Sequence, residues 1–378
     1  MGFYERLGVK TVINGVGNGT AIGGSIMRPE VVEAMAEASR SYVRLPELLE
    51  KAGQRVAELA GVEAAYITAG AAAGVTLSVA ACMTGKDNAK VHRLPNTKEM
   101  KDEVIIQVMQ RNYYELMIRL AGARLIEIGL ANATEDYHLE SAINEQTAAI
   151  VHFVAYSPPS DLPIEQVIDI GHKHGVPVIV DAAAEFPPFS ALRRWADMGA
   201  DLTIFSGGKG IRGPQSTGLI LGRKDLIEAC TMNASPNHGV GRPPKVGKEE
   251  IAGVVTALEL FSIEEFERAE VQEYEDRAGY MAEAISRIPN VRSHVEAAPP
   301  TSAPGPGGAA PEGTAIVYVE WDENALGMTK EQVVEELGAG DPAVLVSTSA
   351  KGIVIAPHTM QPGEEQVVSQ RVAETFAK

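Results

Sequence analysis

From about Pro46 onward, short apolar runs alternate with segments whose apolar positions recur at three- and four-residue spacing. The runs read as strands and the spaced segments as helices, and their alternation predicts an α/β domain with a mainly parallel sheet. "AAYIT" precedes a helix of small residues, "EVIIQV" precedes "NYYELMIRLAG", "RLIEIG" precedes "YHLESAINEQ", and "AAIVHFVAY" precedes "PIEQVIDIGHKHG". "VPVIVDAA" follows, then a short helix around "ALRRWADMG", then "DLTIFSGG" and "TGLILG". These make about seven strands, and the last connection is short enough for an antiparallel pair.

The stretch from Lys245 to Ile288 has no proline and a helical composition, with Gly279 as its one expected interruption. It predicts a long helix leading into a second, smaller unit. That unit is α+β: "TAIVYVEW", the helix "TKEQVVEEL", a strand pair around "AVLVSTSAKGIVIAPH" and a final helix "GEEQVVSQRVAETFAK". Ala298–Gly313 is too rich in Pro and Gly for regular structure and reads as a mobile loop. The expected division is an N-terminal arm and helix (1–45), a large domain (46–250) and a small C-terminal domain (251–378).

Composition changes the picture in four places. A net charge of −17 over 378 residues repels phosphate backbones and anionic lipids, so neither nucleic acid nor membrane is the expected partner. Cys82 and Cys230 are far apart in sequence and lack metal spacing, which points to reduced thiols in a cytoplasmic protein. The charged start "MGFYERLGVK" has no apolar signal core. The uncharged run Ala64–Gly85 is long enough to span a bilayer, but its Ala, Gly, Thr and Ser content predicts a buried strand, turn and helix instead.

Ligands of open α/β sheets gather at the carboxyl ends of strands, and three features fall there. In "YITAGAAAG" a strand runs into a turn of small residues at Gly70 and a helix near Ala71, where N–H groups can seat a phosphate or simply pack closely. In "VPVIVDAAAEF" an apolar strand ends in Asp181, either a helix cap or a carboxylate aimed at a cationic nitrogen. In "TIFSGGKGIRGPQSTGLILG" Lys209 sits among Gly207, Gly208, Gly210 and Gly213, in backbone that can approach a ligand; the spacing is not that of a nucleotide P-loop. Phosphate seat, carboxylate and amine are what pyridoxal phosphate requires for its phosphate, its ring nitrogen and its aldehyde. Ala183, two residues after Asp181, leaves room for a flat ring.

On these motifs, together with "INGVGNGTAIGGS", "RNYYELMIRLAGARL", "VDAAAEFPP", "FSGGKGIRGPQSTG" and "PNHGVGRPPKVGKEEI", the chain resembles the fold-type-I pyridoxal-phosphate enzymes. The branch is that of selenocysteine synthase and D-glucosaminate-6-phosphate ammonia-lyase, and the resemblance covers nearly the whole chain. It implies the fold-type-I transferase fold, a Schiff base at Lys209, a pyridinium partner at Asp181 and phosphate contacts from Gly70, Ala71, Ala72 and Ser206. It also implies a homodimer or larger assembly with shared active sites. Two departures stand out: relatives often carry histidine where this chain has Gln110, and the extra N-terminal region that selenocysteine synthases use for tRNA is not expected here.

The expected activity is that of a lyase on an amino acid or amino sugar acid. Lys209 removes the Cα proton, and loss of a β-hydroxyl leads to a 2-keto acid and ammonia. Candidates for holding the substrate are Arg111, with Asn112 beside it, Arg212, Arg242 and Lys245. Transferase, racemase or aldolase chemistry on a small amino acid would use the same three anchors. A non-catalytic metabolite-binding protein would not need both Lys209 and Asp181. A metal-dependent hydrolase, suggested by His172 and His174, is disfavoured because residues two apart on a helix point to different faces, so no metal is expected.

Overall fold

Every residue of "TAAIVHF", and nearly every residue of the neighbouring apolar runs, is buried, because helices cover both faces of the sheet they form. The computed structural model describes residues 2–298, 310–311 and 313–377. Two units emerge, one of residues 27–264 and one of residues 1–26 with 265–378. Strand β1 (Val12–Asn14) belongs to the second unit. The first unit holds β2 (Ala64–Thr68), β3 (Glu103–Gln107), β4 (Arg124–Ile128), β5 (Thr147–Phe153), β6 (Val178–Asp181), β7 (Leu202–Ser206) and β8 (Gly218–Gly222). They make one seven-stranded sheet in the order β2-β8-β7-β6-β5-β3-β4.

Strands β3 to β7 pair in parallel, and β8 runs antiparallel to both β7 and β2. Six strands therefore end at one edge, with the start of β8 among them. The uncharged run resolves into β2, a turn and the helix Ala71–Thr84, buried almost throughout. A Cβ on Gly74 would lie 2.9 Å from Ile204 Cγ2, so this helix rests directly on β7. Among the described residues no helix is long and apolar enough to cross a membrane.

The long helical stretch is two helices, Lys248–Phe261 and Glu264–Ile285. The break falls at Ser262, whose hydroxyl bonds back to the Glu259 carbonyl at 2.7 Å; Gly279 lies within the second helix. The second unit contains β9 (Val291–Ala297), β10 (Ala315–Trp321), β11 (Ala343–Leu345), β12 (Ser347–Thr348) and β13 (Gly352–Ile355). Four of them form an antiparallel sheet, β12-β13-β10-β9, and β11 pairs in parallel with β1. Met281, Ile285, Val317, Val319, Leu337, Ile355, Val368 and Val372 are part of its core. The loop expected over Ala298–Gly313 lies largely outside the described residues.

Candidate active site

Asp181 is the last residue of β6, opposite Phe153 of β5 and Ile204 of β7. Its Oδ1 accepts from the Ala183 N–H at 3.0 Å, and the next helix starts only at Ala191, so the side chain closes a turn and caps no helix. Burial pushes the carboxyl up to about 6, against the opposing pull of the Ala183 N–H and of Lys209. Lys209 follows β7 in the connection to β8. Burial draws its amine below the usual lysine range, while Asp181 and Glu185 pull the other way. The amine and the carboxyl thus act on each other across the sheet edge.

The glycines around Lys209 serve the close packing of the loop itself. A Cβ on Gly207 would run into Thr217, on Gly208 into the Gln215 backbone, and on Gly210 into the Phe186 carbonyl. The sequence had suggested that they make room for a ligand; their first task is to seat the lysine turn against β8 and against the segment after β6. Arg212 closes the turn, its N–H donating to the Lys209 carbonyl at 2.9 Å, at a positive φ of 56°.

Ser206 and Thr68 are both register partners of Gly218, one on each side. A Cβ on Gly218 would lie 2.6 Å from the Ala71 nitrogen. Gly70, at φ 94°, turns the chain into the helix Ala71–Thr84, whose first turn carries no side-chain cap. The N–H groups of Ala71 and Ala72 are thus left for another acceptor, with the Ser206 hydroxyl two strands away on the same edge. This donor set fits a phosphate. With a half-buried Ala183 beside Asp181 and the amine of Lys209, the edge fits pyridoxal phosphate.

The substrate candidates separate into groups. Arg111 is engaged by Glu115, with one bond at 2.7 Å, and by Glu127. Asn112 is used within its own turn, donating to the Gln110 carbonyl at 2.8 Å and accepting from the Tyr114 N–H at 2.7 Å. Arg212 is buried. Arg242 is half-buried and Lys245 exposed, in the segment after the helix Lys224–Asn233. Gln110 is wholly buried and bonds to the last residue of β5 and into the loop that follows it. His172 is tied to Asp201 at 3.0 Å.

Sequence reasoning missed Tyr156. "AAIVHFVAY" reads as strand to its end, but β5 stops at Phe153 and Val154–Tyr156 forms a single 3-10 turn. The phenol lies within electrostatic reach of Tyr114 and Asp181; burial, then these two groups, raises its pKa. Glu185 was also missed, and its position four residues beyond Asp181 was the only signal.

Comparison with known proteins adds an independent line. A family model described as "SelA: L-seryl-tRNA selenium transferase" matches residues 11–316. A 5'-C-glycyluridine monooxygenase-decarboxylase from Streptomyces sp is 34% identical, over 98% of this chain and 91% of that protein. The D-glucosaminate-6-phosphate ammonia lyase of Salmonella typhimurium is 33% identical, over 98% of this chain and 97% of its own. A solved structure of D-glucosaminate-6-phosphate ammonia-lyase superposes with a TM-score of 0.86 at 32% identity, covering 100% of this chain and 98% of that one. A serine palmitoyltransferase structure with pyridoxal phosphate shares the fold alone, with a TM-score of 0.59 at 14% identity, over 97% of this chain and 87% of that one.

Proposed function

Since the chain belongs to the L-seryl-tRNA selenium transferase family, a group of pyridoxal-phosphate enzymes, we propose that it is a lyase releasing ammonia from an amino sugar acid or β-hydroxy amino acid. The observation that carries this reading is the match to D-glucosaminate-6-phosphate ammonia-lyase over essentially the whole length of both chains.

Pyridoxal phosphate supplies, when bound, an aldehyde that bonds to an amine and a ring that accepts the electron pair released at Cα. Lys209 would hold the aldehyde, Asp181 the ring nitrogen, and Gly70, Ala71, Ala72 and Ser206 the phosphate, with Ala183 against the ring face. An amine drawn below the usual lysine range by burial spends more of its time unprotonated near neutral pH, and so can take up a proton from Cα. The Asp181 carboxyl, raised by burial, is stabilised as an anion once a cationic nitrogen faces it, and so keeps that nitrogen protonated. Arg242 and Lys245, in "GRPPKVGK", carry no ion pair among the described residues and are our choice for the substrate's acid groups. Arg111 is a weaker choice, because Glu115 and Glu127 already engage it.

The substrate is a small amino compound rather than a tRNA, as the charge of −17 favours. We place the protein in the cytoplasm as a homodimer with shared sites. Tyr113, Leu116 and Leu120 are exposed, the last two one turn apart on one helix, and would suit such an interface. The test is incubation with D-glucosaminate 6-phosphate and with β-hydroxy amino acids, following ammonia and 2-keto acid together. Keto acid without ammonia would move the reading to transamination, and an aldehyde with a shorter amino acid would move it to aldol cleavage. The Streptomyces relative, equally similar in sequence, supports a second reading, oxidative decarboxylation, which oxygen uptake and carbon dioxide release would reveal.

A further inference from the structure

Strand β5 ends level with β6, Phe153 opposite Asp181. The turn Val154–Tyr156 that follows packs against β6. A side chain from a third strand end fixes this turn. Gln110, just beyond β3, is wholly buried. Its Oε1 accepts from the Phe153 N–H at 2.9 Å, where the turn begins. Its Nε2 donates to Asp161 Oδ2 at 2.9 Å, with Ser157 Oγ at 3.2 Å and His152 Nδ1 at 3.1 Å also within reach. Ser157, where the turn ends, donates in addition to Asp161 Oδ2 at 3.3 Å.

Only a carboxamide presents an acceptor and two donors from one rigid plane. Glutamate would keep the acceptor and lose both donors, and a neutral histidine offers one of each. His152, buried and held neutral down to about pH 4, can accept at Nδ1 with its proton on Nε2. We propose that Gln110 is a positioning residue: its carboxamide clamps both ends of the turn Val154–Tyr156 and so holds Tyr156 against the end of β6 that carries Asp181. The titratable groups within electrostatic reach of the Tyr156 phenol are Tyr114 and Asp181. The clamp rests on the pyridoxal-phosphate reading only through the second measurement below.

The first measurement is hydrogen exchange in the unloaded protein. In Gln110→Ala the Phe153 amide should exchange at least about tenfold faster, as local opening of a released turn requires. In Gln110→Met, near-isosteric and lacking the acceptor, the Phe153 amide should likewise exchange faster; this variant keeps the test available should the alanine variant fail to fold. The second is the pH midpoint of the bound cofactor's visible absorbance. Gln110→Ala and Tyr156→Phe should move it in the same direction, and the double variant should move it no further than Tyr156→Phe alone. Unchanged exchange at Phe153 overturns the clamp. Changed exchange with an unmoved midpoint, or with additive shifts, overturns its link to Asp181. A wild-type protein that takes up no cofactor overturns the pyridoxal-phosphate reading alone, and the exchange measurement still decides the clamp.

Discussion

A carboxyl raised from its ordinary 3.8 to about 6 binds more protons in the folded chain than in the unfolded one between those values. The unloaded protein therefore loses stability as pH rises through that window and regains it as pH falls. Asp181→Asn removes the effect, so the unloaded variant should melt above wild type at about pH 8 and level with it near pH 4. The same variant cannot pair with a cationic ring nitrogen, and turnover should fall by roughly 10²-fold or more. In wild type, cofactor retention should weaken as pH drops below about 6, where Asp181 protonates; dialysis across that range with absorbance readout would check it. Borohydride should fix the cofactor to Lys209 in wild type and nowhere in Lys209→Ala. Retention of a reduced adduct in that variant would place the reactive amine elsewhere.

At the scale of elements, the proposed phosphate seat depends on Gly218 as much as on the residues that would touch the anion. An added Cβ would press on the Gly70 carbonyl carbon and the Ala71 nitrogen, which are backbone and cannot swing aside. Gly218→Ala should cost about 1–3 kcal/mol by overpacking and loosen cofactor binding, read by melting and by equilibrium dialysis. Nothing in the sequence singled out Gly218, because its constraint comes from β2, far away in the chain. Most strands of the large sheet were legible because burial on both faces leaves unbroken apolar runs, while the edge strand β4 is only partly buried. Asp181 stands out because it ends such a run, and Lys209 because it follows one within a glycine-rich turn. β9, "VRSHVEA", was not, having little apolar content and exposed or half-buried positions along most of its length. Tyr156 was hidden by its own apolar neighbours: periodicity cannot tell that β6 stops at Asp181 and leaves nothing for β5 to pair with beyond Phe153.

Over the whole molecule, a charge of −17 should keep tRNA from binding at physiological salt; a mobility shift with seryl-tRNA would contradict the small-substrate reading. Replacing Leu116 and Leu120 by glutamate should shift sedimentation toward the monomer if that exposed face is the interface between copies. Strand β8 bears on how accurately the site is assembled. In the large sheet it runs against the other six strands, and Gly218 at its start stands in register with both Ser206 and Thr68. The lysine loop and the phosphate turn are therefore measured from a common datum, whereas Asp181 is referenced through β7, one joint further along. On the proposed roles, small errors in sheet assembly would cancel between amine and phosphate and accumulate at the ring nitrogen, making the distance from Asp181 to the other two anchors the loosest tolerance in the site.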